Sequence, residues 1–242
     1  AALTGEEFTF NVQADFFSGG SVSGADVAWG VVASTYTFQP AGDLSRYSFS
    51  DHENDLGYYY YDDSPTSETI AEGQTQTDAR GQAVIDLPAS LSESGSSQQF
   101  TFEANLTDLA GTAVSNRTSV IVHQSSVYAG VRPQSYVGST NEEQSFEIVA
   151  VDWDAELVAG QMVDVSIVER RWNSVQKQNP DGSIEWESSV EEIPVTSFDA
   201  IQTDDNGRTS VSFTPPNGGI FKAIVTTHDS TGNTARAAAY MW

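Results

Sequence analysis

Apolar residues recur at every second position through most of this chain. Phe8, Phe10, Val12 and Ala14 fall on one side of FTFNVQADF, and Ala25, Val27, Trp29 and Val31 on one side of ADVAWGVV. The same period runs through QAVIDLP, QFTFEANLTD and RTSVIVHQ, then FEIVAVDW, MVDVSIVERRW, RTSVSFTP, FKAIVTTHD and ARAAAYMW. Successive side chains of a strand point to opposite faces, so this pattern predicts strands with one face buried. No segment holds a helical period beyond two turns. Clusters of Gly, Asn, Asp and Pro at TDARG, TDLAGTA, TDDNG, TPPNGG and HDSTGN supply the turns between strands.

The pattern occurs twice. EEFTFNVQADF at 6–16 is echoed by EEQSFEIVAVDW at 142–153, and TDARGQAVIDLP at 77–88 by TDDNGRTSVSFTP at 203–215. A repeat this long is a folded module rather than a solenoid unit. The expected architecture is all-β: two tandem immunoglobulin- or fibronectin-like antiparallel β-sandwiches. The first spans 1–125 with a long insertion at 33–76, and the second spans 126–242 with a hairpin insertion at 170–202. That hairpin turns at Pro180, Asp181 and Gly182, and brings Arg170 and Arg171 near Glu185, Glu187, Glu191 and Glu192. Trp29, Phe102 and Val120 are expected in the first core, and Val151, Val165, Phe213 and Phe221 in the second. The start AALTGEEF lacks the basic and apolar regions of a signal peptide and reads as a cut or processed end.

Chemistry is sparse. The 242 residues carry 34 acids against 10 bases, a net charge of −24, which repels phosphate backbones and anionic membrane surfaces. With no cysteine, thiol nucleophiles, disulfides and thiolate metal sites are excluded. Asp51, Glu53, Asp55, Asp62 and Asp63 have the oxygen ligands that Ca²⁺ takes, but not the spacing of an EF-hand loop, and read as a solvated acidic loop. Asp204 and Asp205 lie in TDDNG, whose repeat partner TDARG makes it a turn. His52, His123 and His228 lack metal-pair spacing, and Ser125 and Ser126 near His123 lack a nucleophile elbow. No catalytic residue, cofactor site or metal site is therefore expected, and the chain reads as non-enzymatic. Tyr58, Tyr59, Tyr60 and Tyr61 form the one candidate interaction surface, since an apolar ring with a polar tip suits contact with the parent chain or a ligand.

QFTFEANLTDLAGTAVSNRTSVIVHQSSVYAGVRP resembles the join between successive macroglobulin-like domains of bacterial α2-macroglobulins. EEQSFEIVAVDWDAELVAGQMVDVSIVERRW resembles the opening of the following domain, and FKAIVTTHDSTGNTARAAAYMW its end. The likeness runs over nearly all of the chain. It implies a non-catalytic scaffold segment from the amino-terminal half of a broad-spectrum protease inhibitor of the periplasm, cell envelope or exterior. Neighbouring domains of the parent would be its partners, and proteases only through the full-length protein. The family's C-x-E-Q thioester motif is absent here, as is any bait region, so no family functional residue maps onto this sequence. A binding or adhesion module of a large cell-surface protein is the alternative, and a carbohydrate-enzyme accessory module a third reading.

Overall fold

The computed structural model describes residues 1–51, 67–91, 96–107, 111–178 and 183–242, where all regular structure is strand apart from one 3-10 turn. These residues separate into two units. One holds 1–37, 67–91, 96–107 and 111–125, and the other holds 38–51, 126–178 and 183–242.

The first unit contains β1 (Ala2–Leu3), β2 (Glu7–Gln13), β3 (Asp26–Thr35), β4 (Ser67–Gln76), β5 (Gln82–Pro88), β6 (Gln98–Thr107) and β7 (Ala113–His123). A five-stranded sheet runs β1-β7-β6-β3-β4, and β2 pairs with β5. The inward positions of the alternating runs meet between these layers. Val27, Val31 and Ala33 of β3 and Phe100, Phe102 and Ala104 of β6 join Phe10, Ala83 and Ile85 in one core. Phe10 stacks on Phe102 at 4.3 Å. Trp29 and Val120 are partly buried against this cluster.

The second unit repeats the scheme with β8 (Val127–Pro133), β9 (Gln144–Asp152), β10 (Met162–Gln178), β11 (Ile184–Gln202), β12 (Arg208–Phe213), β13 (Ile220–His228) and β14 (Thr234–Met241). A four-stranded sheet runs β11-β10-β13-β14, and a three-stranded sheet β12-β9-β8. Phe146, Ile148, Val165, Ile167, Val211, Phe213, Phe221, Val225, Ala237 and Met241 fill the space between them. Val151 is fully buried too, but it points out of the opposite face of β9 from Phe146 and Ile148. Burying each large apolar side chain contributes about 1.5–3 kcal/mol, so each sandwich has its own hydrophobic driving force.

The repeated Thr-Asp-x-x-Gly stretch is one device used twice. Thr77 Oγ1 donates to Val22 O at 2.7 Å and accepts from Ala25 N at 3.0 Å. Thr203 Oγ1 does the same with Val158 O at 3.2 Å and Gln161 N at 2.9 Å. The next residue caps the turn: Asp78 Oδ1 accepts from Arg80 N and Gln82 N, and Asp204 Oδ1 from Asn206 N and Arg208 N. Gly81 (φ +73°) and Gly207 (φ +67°) take the left-handed conformation that closes it. A Cβ on Gly81 would lie 2.3 Å from Ala14 O, and one on Gly207 3.0 Å from Ala150 O. Glycine is thus fixed at both positions by conformation and by close backbone approach.

The two copies differ in the connection between their equivalent central and edge strands. In the second copy it is a ribbon: β10 and β11 stay paired from Met162↔Gln202 to Gln178↔Ile184. Pro194 falls on the edge strand β11 at a register shift between Ile167 and Val168, the kind of position where a sheet accommodates proline. The expected turn at Pro180, Asp181 and Gly182 lies outside the described residues. In the first copy the connection leaves its own module. The expected division gave all of 33–76 to the first sandwich, whereas residues 38–51 belong with the second.

Candidate functional site

Residues 38–51 form a strap across the second unit, and its residue order explains the course. Gly42, at φ +68°, opens a 3-10 turn over Gly42–Arg46. Tyr47, Ser48, Phe49, Ser50 and Asp51 then alternate as an extended segment. Ser48 exchanges two backbone bonds of 2.9 Å with Val131, on the free edge of β8. Ser50 O accepts from Ala238 N at 3.0 Å, on the free edge of β14. The strap therefore satisfies the backbone of two edge strands that belong to different sheets, and unpaired edges are a liability.

The aromatic residues of the strap cover the outer face of β8 and β9. Phe38 stacks on Tyr128 at 4.3 Å and meets Phe49 edge-on at 5.4 Å. Phe49 lies over Gly130, where any Cβ would stand 2.6 Å from its ring. Two guanidinium groups lie against the Tyr47 ring, Arg132 at 5.2 Å and Arg208 at 5.8 Å from its centroid. Its hydroxyl accepts from Arg208 Nη1 at 2.8 Å and donates to Glu147 Oε2 at 3.3 Å. Glu147 in turn accepts from Arg132 Nε at 3.0 Å. The hydrogen bonds that Arg132 donates to Glu147 and Tyr47 hold its guanidinium above its ordinary value.

Where the strap ends, Asp51 reaches the outer face of the four-stranded sheet. Cross-strand register sets Val168 beside Lys222, Lys222 beside Tyr240, and Ile224 beside Ala238. Val168, Ile224 and Ala238 form a small buried patch on this face. Lys222 lies within it, with no side-chain exposure. Its Nζ is 2.7 Å from Asp51 Oδ1 and 3.5 Å from Glu192 Oε1. Arg236 Nε is 2.7 Å from Asp51 Oδ2. Arg170, opposite Glu192 on the neighbouring strand, donates from Nη1 to Tyr240 Oη at 3.0 Å. Two buried cations, a bridging aspartate and a rim glutamate make this the densest charge cluster among the described residues. Removing one member would strand a buried charge, at about 3–5 kcal/mol.

Asp51 was expected in a solvated acidic loop, but only 9% of its side chain is exposed. The signal for the strap was present: Tyr47 and Phe49 keep the two-residue period inside a stretch otherwise read as an insertion. The signal for Lys222 was a lone cation inside the apolar run FKAIV. The candidate surface Tyr58, Tyr59, Tyr60 and Tyr61 lies outside the described residues, as do His52, Glu53, Asp55, Asp62 and Asp63. His123 is buried, with Tyr36 edge-on at 5.9 Å. Ser126 Oγ donates to Asp229 Oδ2 at 3.2 Å, not to a histidine. Burial works to raise the Asp229 carboxyl. Hydrogen bonds from Ser126, Thr231 and Asn233 outweigh it and hold the group well below the usual carboxylate range. His228 Nδ1 meets Thr234 Oγ1 at 2.9 Å. Among the described residues no three His, Asp or Glu side chains cluster as a metal site.

The outer part of the long ribbon is exposed. Register places Trp172 and Val190 opposite one another on one face, with Gln176 and Trp186 opposite one another farther out on the same face. Trp172 and Trp186 are half or more exposed. Arg171 lies opposite Glu191 but bonds Glu169 Oε1 at 2.8 Å.

Residues 130–241 match the model of bacterial macroglobulin domain 6. The chain is 19% identical over 253 residues to an alpha-2-macroglobulin homolog of Nostoc sp., covering 100% of this chain and 12% of that protein. Its fold is similar to that of native Escherichia coli alpha-2-macroglobulin, with a TM-score of 0.65 at 16% identity over 100% of this chain and 15% of that one. Salmonella alpha-2-macroglobulin reacted with methylamine gives 0.64 at 15% identity over 99% and 16%. Residues 130–241 are thus similar to a bacterial macroglobulin domain, and along its whole length the chain is similar to bacterial α2-macroglobulins, of which it spans a minor part.

Proposed function

We propose that this chain is a non-catalytic scaffold segment of an extracytoplasmic protein of the α2-macroglobulin type, whose protease-inhibiting activity resides in the whole molecule. The observation that carries this reading is the strap. A segment of the first repeat completes the second by pairing two sheet edges and filling an aromatic face, which suits transmission of force rather than turnover of a substrate. The domain-family match over 130–241 and the fold likeness over the whole chain support it. In such a molecule cleavage elsewhere would move modules as bodies, and neighbouring domains of the parent would be the partners of these two.

The test is a pair of assays. Trypsin or elastase mixed with these 242 residues alone is expected to keep full activity on a protein substrate. In the full-length parent, deleting residues 38–51 is expected to impair inhibition without touching any reactive group. Inhibition by the isolated segment would overturn the scaffold reading. Specific adhesion of the segment to a surface glycan or protein would favour the alternative, a binding module of a cell-surface protein.

A further inference from the structure

The Asp51–Lys222 contact has features an ordinary ion pair does not need. Lys222 has no side-chain exposure and Asp51 has 9%, so both ends are withdrawn from water. Nζ lies 2.7 Å from Oδ1, yet Oδ1 accepts no hydrogen bond from any described residue, because the amine approaches outside hydrogen-bond geometry. With a carbon–oxygen bond of about 1.2 Å, Cγ itself is within about 4 Å of Nζ. The sequence holds two lysines, Lys177 and Lys222, and eight arginines. The cation fully buried against a carboxylate is one of the two that can become an amine nucleophile, which arginine cannot.

We infer that Lys222 Nζ and Asp51 Cγ are joined by an amide bond formed within the folded chain, so that the strap is covalently fastened to β13. The step balances as a condensation. A proton passes from the Lys222 ammonium to the Asp51 carboxylate, leaving a neutral amine and a neutral acid. Nζ attacks Cγ, the C–N bond forms, and negative charge develops on the carboxyl oxygens. Arg236 Nε, 2.7 Å from Oδ2, is placed to stabilise that charge. Glu192 Oε1, 3.5 Å from Nζ, takes the amine proton and returns it to the departing hydroxyl. One water leaves, and no oxidant, metal or co-reactant is required.

Two physical terms favour the bond. Holding amine and acid in contact raises their effective concentration by about 10⁵–10⁸ M, enough to offset an unfavourable condensation in water. A buried ion pair also carries the desolvation cost of both charges, and a neutral amide does not. Glu192, a third exposed at the rim, gives the released water a way out.

This inference deepens the scaffold reading but is read out separately from it. The test is the intact mass of the purified, denatured chain, followed by tryptic mapping. The expected mass is one water, about 18 Da, below that of the sequence. Trypsin should fail to cut after Lys222, and tandem fragmentation should show a branched peptide joining the Asp51 and Lys222 segments. Glu192→Gln, which leaves Lys222 and Asp51 in place, should melt as a folded protein with most molecules at the full sequence mass. A native chain at full mass with cleavage after Lys222, or a water loss mapped to another residue, overturns the inference. Neither result bears on whether the segment alone inhibits a protease, which is the scaffold test.

Discussion

The β3–β4 and β10–β11 connections occupy the same place in two copies of one sandwich and do opposite things. The second carries its own ladder outward, through two register shifts, from Met162↔Gln202 to Gln178↔Ile184. The first abandons its sheet after Thr35 and lays residues 38–51 on the other module. Both β4 and β11 are edge strands, so neither choice disturbs the central pairings. What the fold conserves between copies is the part the core depends on: the Thr-Asp-x-x-Gly turn and the β2–β5 or β9–β12 pairing behind it. A connection leaving an edge strand is free to acquire a task of its own.

The largest expected effects test whether each copy stands on its own core. Phe221→Ala and Phe102→Ala should each cost about 3–5 kcal/mol by cavity formation, measured by urea unfolding. Each loss should fall on its own unit, read through Trp29 in one and Trp172 in the other. A single transition carrying both losses equally would merge the two copies into one cooperative body.

Asp51→Ala comes next and separates the connections. It strands Lys222 and Arg236, and should destabilise the second unit by about 3 kcal/mol while leaving β3, β6 and β7 unchanged in hydrogen exchange. Equal loosening of both units would mean that the strap is not specific to the second. Among the turn glycines, Gly81→Ala should cost more than Gly207→Ala, because its Cβ would stand 2.3 Å from a carbonyl oxygen against 3.0 Å. Both should exceed about 1 kcal/mol, the ordinary cost of the left-handed conformation. The reverse order in thermal melts would contradict the packing described for Ala14.

Acid should act on the copies together. Hydrogen bonds from the backbone of Gln82 and Arg80 lower Asp78 below its ordinary 3.8, and those from Arg208 and Asn206 lower Asp204 likewise. A group whose folded value is depressed contributes stability above its unfolded value and loses it as pH falls through the folded one. Stability should therefore hold down to about pH 4 and decline below it. Replacing either aspartate with asparagine should flatten part of that decline. The smallest effect belongs to the ribbon: Trp186→Ser, at an exposed position, should change unfolding free energy by less than about 0.5 kcal/mol.

The strands were legible because half-buried strands announce themselves by alternation, and the repeat made Thr77/Thr203 and Gly81/Gly207 legible as one turn. Phe102, Phe213 and Phe221 were legible as core for the same reason. The strap was not, although Tyr47 and Phe49 alternate, because period alone does not say which sheet a strand joins. In the sequence Asp51 is one acid among neighbouring acids, since its burial depends on Lys222, a residue 171 positions away. Val151 was expected inside the sandwich and is buried on its outer face, because alternation identifies buried positions without saying what covers them.

The strap is an integral part of the second unit. Amide hydrogen exchange of Ser48, Val131 and Ala238 in the 242-residue chain measures this in one experiment. The three amides are predicted to exchange as slowly as those of Phe146 and Val225 in the core of the same unit, and to accelerate together in Asp51→Ala. Exchange of Ser48, Val131 and Ala238 at the rate of an open surface segment, with Phe146 and Val225 still protected, would contradict it.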